Sequence, residues 1–575
     1  MKKIFALPAM LVLLLVPGCA DRSGMDAGAG GGLERPRIVN IVNFIRLCEP
    51  RVERYTPEVL YETVVKQVEI MTKYRLGGTF LLQYDALLDA RYQKLLNALP
   101  ADTFEIGAWW EIPQPLVEKA GLVWRGRYPW DWHADVGFAT GYSPAERERL
   151  ADVYMGDFKR IFGRYPRSVG SWFIDARTLD YLQRKYGIVA SCNCKDQVGT
   201  DGYTLWGGYW NQAYYPSRRN AYMPAQHEES QIPVPIFRML GSDPVRQYDA
   251  GLGSRQQSVA SLEPVYAHGG GDPAWVDWYF RQFLAGPCMA FAYVQVGQEN
   301  SFTWSRMAKG FEIQMPFIAR LRDANEVRVE TLAASGRWFR EHFKTTPATS
   351  VTVGEDLSGG TRRTAWFDSR FYRLNLLWEG HALRFRDIHI FDEDLASDYL
   401  TARGTSTQCG FWTLPFVDGF QWSSARDVAG LRFKASVDGT EMLIEGGEPA
   451  FSDAVPGKLA ITWPVPSHRG AFAFDIDEDR IGIQWTGEDP LDWFLDLTTE
   501  ETAKLPFEEI TARQIRCRFK GATYGISLGP GRFSRPGRGI VFRMAPEKDR
   551  LTLHVGKKDQ TGSSPAAREG RASLR

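Results

Sequence analysis

The chain lacks an excess of charge of either sign. Lysine plus arginine (69) balance aspartate plus glutamate (69), and no long basic run occurs. Without a phosphate-facing basic surface, electrostatic capture of nucleic acid is disfavoured. Long hydrophobic runs are also missing. The apolar stretch Ile4–Val16 is short for a membrane span. Cysteine is sparse, and after Cys19 its six positions (48, 192, 194, 288, 409 and 517) are irregularly spaced. A chain of 575 residues does not need disulfide staples. Cys192-Asn193-Cys194 is too tight for ordinary disulfide geometry or a zinc knuckle. These cysteines read mostly as buried small apolar residues. No internal repeat is found.

The length exceeds what one core accommodates, so several domains are expected. Lys2 and Lys3, the apolar run and Val16-Pro17-Gly18-Cys19 make residues 1–19 an export signal. Its end resembles a bacterial lipobox, although Pro17 is unusual there. That resemblance implies lipidation at Cys19 and a membrane-anchored protein of the bacterial cell envelope, with simple cleavage as the alternative. Residues 20–36, rich in Gly, Ala and Asp, are expected to be a flexible tether.

From residue 37 to about 325, strand and helix signals alternate. Arg37–Arg46 reads as a buried first strand, and Thr56-Pro57-Glu58 opens a helix. Thr79–Leu82 and Phe104–Trp110 are the next strands, and Ser143-Pro144-Ala145-Glu146 is a capping box. A fourth strand is expected to end at Asp175, ahead of a helix closed by Gly187. Later strands are expected within 187–196, 234–240 and 289–296. Residues 326–349 read as a helical connection. Residues 350–556 carry short alternating runs separated by turns, an all-β sandwich pattern. The polar tail 557–575 is expected to be disordered.

Several segments resemble two related families. Trp172-Phe173-Ile174-Asp175 resembles the nucleophile segment of glycoside hydrolase family 57 and the matching strand of polysaccharide deacetylases. Phe104–Gly107 looks like the third strand of the deacetylases. Gln298-Glu299-Asn300 looks like the family 57 segment that carries the catalytic acid. The resemblance covers residues 37–325 at superfamily level. It implies an α/β fold, a distorted (β/α)7-type barrel, followed here by the helical connection and the β-sandwich. The third-strand segment lacks the histidine of the deacetylases, and His133, His227 and His268 are far apart in sequence. A metal site is therefore disfavoured, and no cofactor is expected. The pair Asp175 and Glu299 also reverses the residue types of family 57.

Glycosidic cleavage asks for two carboxyls, about 5–5.5 Å apart in a retaining enzyme. Asp175 is the expected nucleophile and Glu299 the expected acid/base. On spacing alone Asp175 serves equally as a helix cap. Asp85, Glu111, Asp196 and Asp243 lie at expected strand ends, where they could orient sugar hydroxyls or replace that pair. Arg238 could grip an acidic sugar. Trp109, Trp110, Trp172, Trp206 and Trp210 are expected to stack on sugar rings. The expectation is thus a metal-independent, lipid-anchored glycoside hydrolase with carbohydrate as its partner. Two readings stay open: a non-catalytic carbohydrate-binding lipoprotein on a degenerate barrel, and a metal-dependent deacetylase.

Overall fold

The computed structural model describes residues 35–254 and 256–555. Cys19, the export signal, most of the tether and the tail lie outside the described residues. Among the described residues no helix is long and apolar enough to cross a membrane.

The first strand, β1 (Arg37–Ile45), is buried from its second residue onward. Thr56 then caps α1 (Pro57–Lys73), accepting the Val59 N–H with Pro57 in the first turn. β2 (Gly78–Leu82), α2 (Tyr84–Leu88), α3 (Ala90–Asn97), β3 (Phe104–Trp109) and α4 (Gln114–Lys119) follow. Ser143 and Glu146 close the expected capping box on α5 (Pro144–Phe162). Next come β4 (Ser168–Gly170), α6 (Ala176–Tyr186), β5 (Ala190–Asn193), β6 (Gln197–Thr200), β7 (Tyr203–Trp206), β8 (Ala213–Tyr214) and β9 (Ile236–Arg238). α7 (Pro273–Ala285), β10 (Ala292–Val296), α8 (Trp304–Asp323), β11 (Arg328–Glu330) and α9 (Leu332–His342) complete this half.

Seven strands run parallel in the order β10-β1-β2-β3-β4-β5-β9, a nearly closed barrel. The seam lies between β9 and β10, which do not pair among the described residues. Gln212 clasps it. Its side-chain amide accepts the Tyr293 N–H (2.9 Å) and donates to the Tyr293 carbonyl (3.4 Å). Its own carbonyl accepts the Arg238 N–H (3.0 Å). One side chain thus supplies the ladder contacts that a strand would have made.

One expectation is corrected and a second is extended. The fourth strand stops at Gly170, five residues before Asp175. Beyond it Trp172 turns its ring onto Phe44 and Trp109, and the Ser171 hydroxyl donates to the Trp110 carbonyl (2.8 Å). Residues 326–349 are more than a connection. β11 pairs with β1. The start of α9 seats against the N-terminal ends of β2 and β3, where Leu332 N–H donates to Thr79 Oγ1 and Ala333 N–H to the Glu105 carboxyl (both 2.9 Å).

The second half is built of two antiparallel sheets. The ten-stranded one includes Arg363–Asp368, Tyr372–Glu379, Ala382–Ile390, Gly430–Val437 and Trp493–Thr498, and the eight-stranded one runs from Ala450–Ser452 to Phe507–Ile510. Phe433 of the first touches Trp463, Phe472 and Phe474 of the second, so the sheets pack face to face. The two halves of the chain also share a sheet, because Cys409–Trp412 pairs in parallel with β7. The six described cysteines are free thiols and five are buried.

Candidate functional site

In parallel α/β folds, chemistry collects at the carboxyl ends of the strands. Here that rim carries Arg46 after β1, Gln83 and Asp85 after β2, Glu111 after β3 and Glu299 after β10. Local sequence sets their positions. Gly297 has a φ of 109°, and a Cβ there would lie 2.2 Å from the Val42 carbonyl oxygen. Only glycine lets the chain turn this close to β1. Asn300 then locks β10 to β1. Its Oδ1 accepts the Arg46 N–H and its Nδ2 donates to the Arg46 carbonyl, both at 2.9 Å. Glu299 is therefore held in fixed register with Arg46.

The Arg46 guanidinium organises the rim. Nε and Nη2 grip Glu111 bidentately at 2.8 and 2.6 Å. Nη1 stands 2.8 Å from Glu299 Oε2, a contact without the angular geometry of a hydrogen bond. Gln83 adds a 2.7 Å bond to Glu111, and the Trp130 ring covers the guanidinium with its centroid 4.1 Å away. Arg46, Glu111 and Glu299 are 2%, 0% and 4% exposed. Burial pushes the Glu299 carboxyl up to about 7, with Arg46 opposing and Glu111 reinforcing the shift. Burial likewise raises Asp85 to about 7, against hydrogen bonds from the Ala86 and Leu47 backbone. Burial thus raises two carboxyls on one rim to about 7, beside a third that is clamped in an ion pair.

A polar path leads outward from this cluster. Glu49 lies 3.8 Å from Arg46 and is gripped by Arg51, which pairs with the exposed Asp201. Burial raises Glu49, but the Arg51 hydrogen bonds and the Arg46 charge outweigh it and lower its pKa. Arg51 stacks on Trp132, which stacks on Tyr128, itself 40% exposed. On the far side of the rim Lys195 pairs with Glu263 (2.7 Å), and Glu263 accepts a 3.3 Å bond from Gln298.

The expected nucleophile is placed elsewhere. Asp175 is fully buried as the cap of α6. Oδ1 accepts the Thr178 N–H (3.0 Å) and pairs with Arg147 (3.0 Å), and Oδ2 accepts the Thr178 hydroxyl (2.6 Å). Both of its oxygens are thus engaged in the cap, and among the described residues it shares no hydrogen-bond or ion-pair partner with Glu299. Asp196 is fixed by Arg238 (2.7 Å) and Arg373 (2.5 Å). Burial raises it, but these two arginines outweigh that and lower its pKa. Asp243 accepts the backbone N–H groups of Val245 and Arg246 and the Trp275 indole, and burial raises its pKa.

The expected sugar-stacking tryptophans are packed instead. Trp109 stacks on Phe44 (4.0 Å), Trp110 meets Tyr154, and Trp172 fills the barrel beside Trp109. Trp206 packs on Tyr248 and Phe420, and Trp210 stacks on Trp366 (4.2 Å). Their faces are spent on joining elements. Arg46, Glu49 and Gln83 were not singled out from sequence, although Arg46 carried a signal: a charged residue closing an apolar strand. Among the described residues no group of three or more His, Cys, Asp or Glu is placed to hold a metal ion.

No family model matches the chain, and no curated protein matches it. Solved structures do. A provisionally assigned glycoside hydrolase/deacetylase from Parabacteroides distasonis is 16% identical, covers 66% of this chain and 88% of its own, with a TM-score of 0.47. An allantoinase is 11% identical over 54% and 93%, with a TM-score of 0.34. The 4-alpha-glucanotransferase from Thermococcus litoralis is 8% identical over 91% and 100%, with a TM-score of 0.30. With TM-scores below 0.5, these likenesses say nothing of this chain's chemistry.

Proposed function

We propose that the chain is a carbohydrate-acting hydrolase in which Glu299 is the general acid and Glu111 the carboxylate partner. One observation carries this reading: the Arg46 guanidinium joins a clamped Glu111 to a Glu299 whose carboxyl burial raises to about 7. Acid and carboxylate are the two functions that glycoside hydrolysis requires, and their environments differ as such a division of labour demands. Asp85 is a second proton store on the same rim. Tyr128, 40% exposed, offers a sugar an aromatic surface that the buried tryptophans do not. This reading requires the segment carrying Trp130 to move off Arg46 before substrate can reach the acids. A lipid anchor at Cys19 and a place in the cell envelope remain part of this proposal.

The test is hydrolysis of an oligosaccharide panel by wild type, Glu299→Gln and Glu111→Gln, with folding checked by circular dichroism. Wild type should cut at least one substrate, and each variant should lose at least 100-fold, the scale of one general acid. Full activity in Glu299→Gln sinks the assignment. A second reading has its own observation: the cluster is nearly sealed from solvent, as suits a barrel that binds glycan elsewhere without cutting it. Under it, wild type binds oligosaccharides and hydrolyses none.

A further inference from the structure

A cavity of about 230 Å³ opens in the second half of the chain, where the ten-stranded sheet meets the loop that follows β9. Four arginines line it: Arg362, Arg384, Arg386 and Arg432. Only two acids, Asp249 and Glu379, lie among them. Both acids are already engaged. Arg362 pairs with Asp249 (2.5 Å) and Glu379 (3.2 Å), and Arg384 with Glu379 (2.9 Å). Among the described residues the other two arginines hydrogen-bond only to neutral partners. Arg386 donates to Asn375 Oδ1 and to the Val245 and Pro244 carbonyls. Arg432 donates to the Thr498 hydroxyl and the Val428 carbonyl.

The register sharpens the point. Arg384 and Arg432 stand directly opposite each other on neighbouring antiparallel strands, and Arg386 follows two residues along on the same face. Like charges directly opposite on a sheet are destabilising. Burial, and then the charge of Arg384, lowers Arg432 to about 10; burial is also the largest effect bringing Arg386 to about 10. Three guanidiniums on one face, two lacking an acid, form a site short of negative charge.

We propose that this cavity binds a small organic anion, a carboxylate or sulfate carried on a body about the size of one sugar ring. Arginine is the residue suited to hold such oxyanions. The volume falls below the roughly 300 Å³ at which pockets for larger ligands begin. Its remaining walls, Leu252, Leu383, Val428 and Leu443 with the ring of Tyr248, suit an apolar face better than a free inorganic ion. The site is separate from the barrel rim and does not depend on the rim being catalytic.

The experiment is calorimetric titration of the full chain with glucuronate, glucose and inorganic sulfate, repeated on two variants. Arg432→Gln removes one guanidinium, and Leu443→Trp fills the cavity while keeping all four. Glucuronate should bind wild type and glucose should not. Each variant should weaken glucuronate at least tenfold. Without ligand, Arg432→Gln should melt no lower than wild type, because it relieves the facing charges. Absence of glucuronate binding overturns the proposal, as does binding of sulfate alone. Unchanged glucuronate affinity in both variants overturns it equally. If Arg432→Gln does not fold, Leu443→Trp decides by the same tenfold criterion.

Discussion

Glu299 and Asp175 show how two carboxylates at comparable sequence positions come to opposite uses. Glu299 is raised to about 7 from an ordinary 4.5, so the folded chain holds a proton there that the unfolded chain has lost. Stability from this group is therefore lost as pH rises from about 4.5 through 7, by roughly 3 kcal/mol in all. Glu299→Gln is expected to unfold at higher urea than wild type at pH 8 and at similar urea at pH 5. An identical pH dependence in the two proteins would count against the shift. Asp175, by contrast, balances the buried Arg147, and Asp175→Ala should cost about 3–5 kcal/mol of unfolding free energy. Spacing left Asp175 balanced between cap and nucleophile, and its partners in the fold are those of a cap. Nothing in a one-dimensional pattern reports that Thr178 and Arg147 occupy both of its oxygens.

Among the elements, those whose signals are local were legible. The caps at Thr56 and Ser143 and the αL glycine Gly187 that closes α6 lie where their residue types require. The alternation of strand and helix was legible too, because burial of parallel strands leaves an apolar run. What sequence could not show was where β4 stops, since Trp172-Phe173-Ile174 is as apolar as a strand yet packs its rings across the rim. Nor could it show the Gln212 clasp, a contact between residues 81 apart in the chain. Replacing Gln212 with Ala leaves the buried Tyr293 N–H and carbonyl without those partners, at a cost of about 1–3 kcal/mol for a group so orphaned. The loss should appear as faster hydrogen exchange at the Tyr293 amide, with strands far from the seam unchanged. Uniform acceleration across the barrel would show the clasp to be no local device.

For the molecule as a whole, the two halves read as consecutive domains in sequence but are bonded as one. Arg373 of the second half pairs with Asp196 of the barrel and with Asp387 of its own sheet, all three side chains fully buried. Trp206 and Trp210 cross the same boundary to Phe420 and Trp366. Composition marked the change of architecture near residue 350 but could not mark this union, because the charges involved lie nearly 180 residues apart. A fragment of residues 35–349 is accordingly expected to lack a cooperative melting transition and to bind a hydrophobic dye, while 35–555 melts in a single step. A fragment with a sharp transition of its own would show the barrel to be self-sufficient.

The pairing of β7 with Cys409–Trp412 has a consequence for how the protein is made. At bacterial or eukaryotic rates of translation, roughly 5–20 residues per second, the two partners leave the ribosome roughly 10–40 s apart. Throughout that interval the open flank of β7 has no mate. The nascent barrel is then a half-finished object whose exposed edge invites the wrong neighbour until Cys409–Trp412 arrives to cover it.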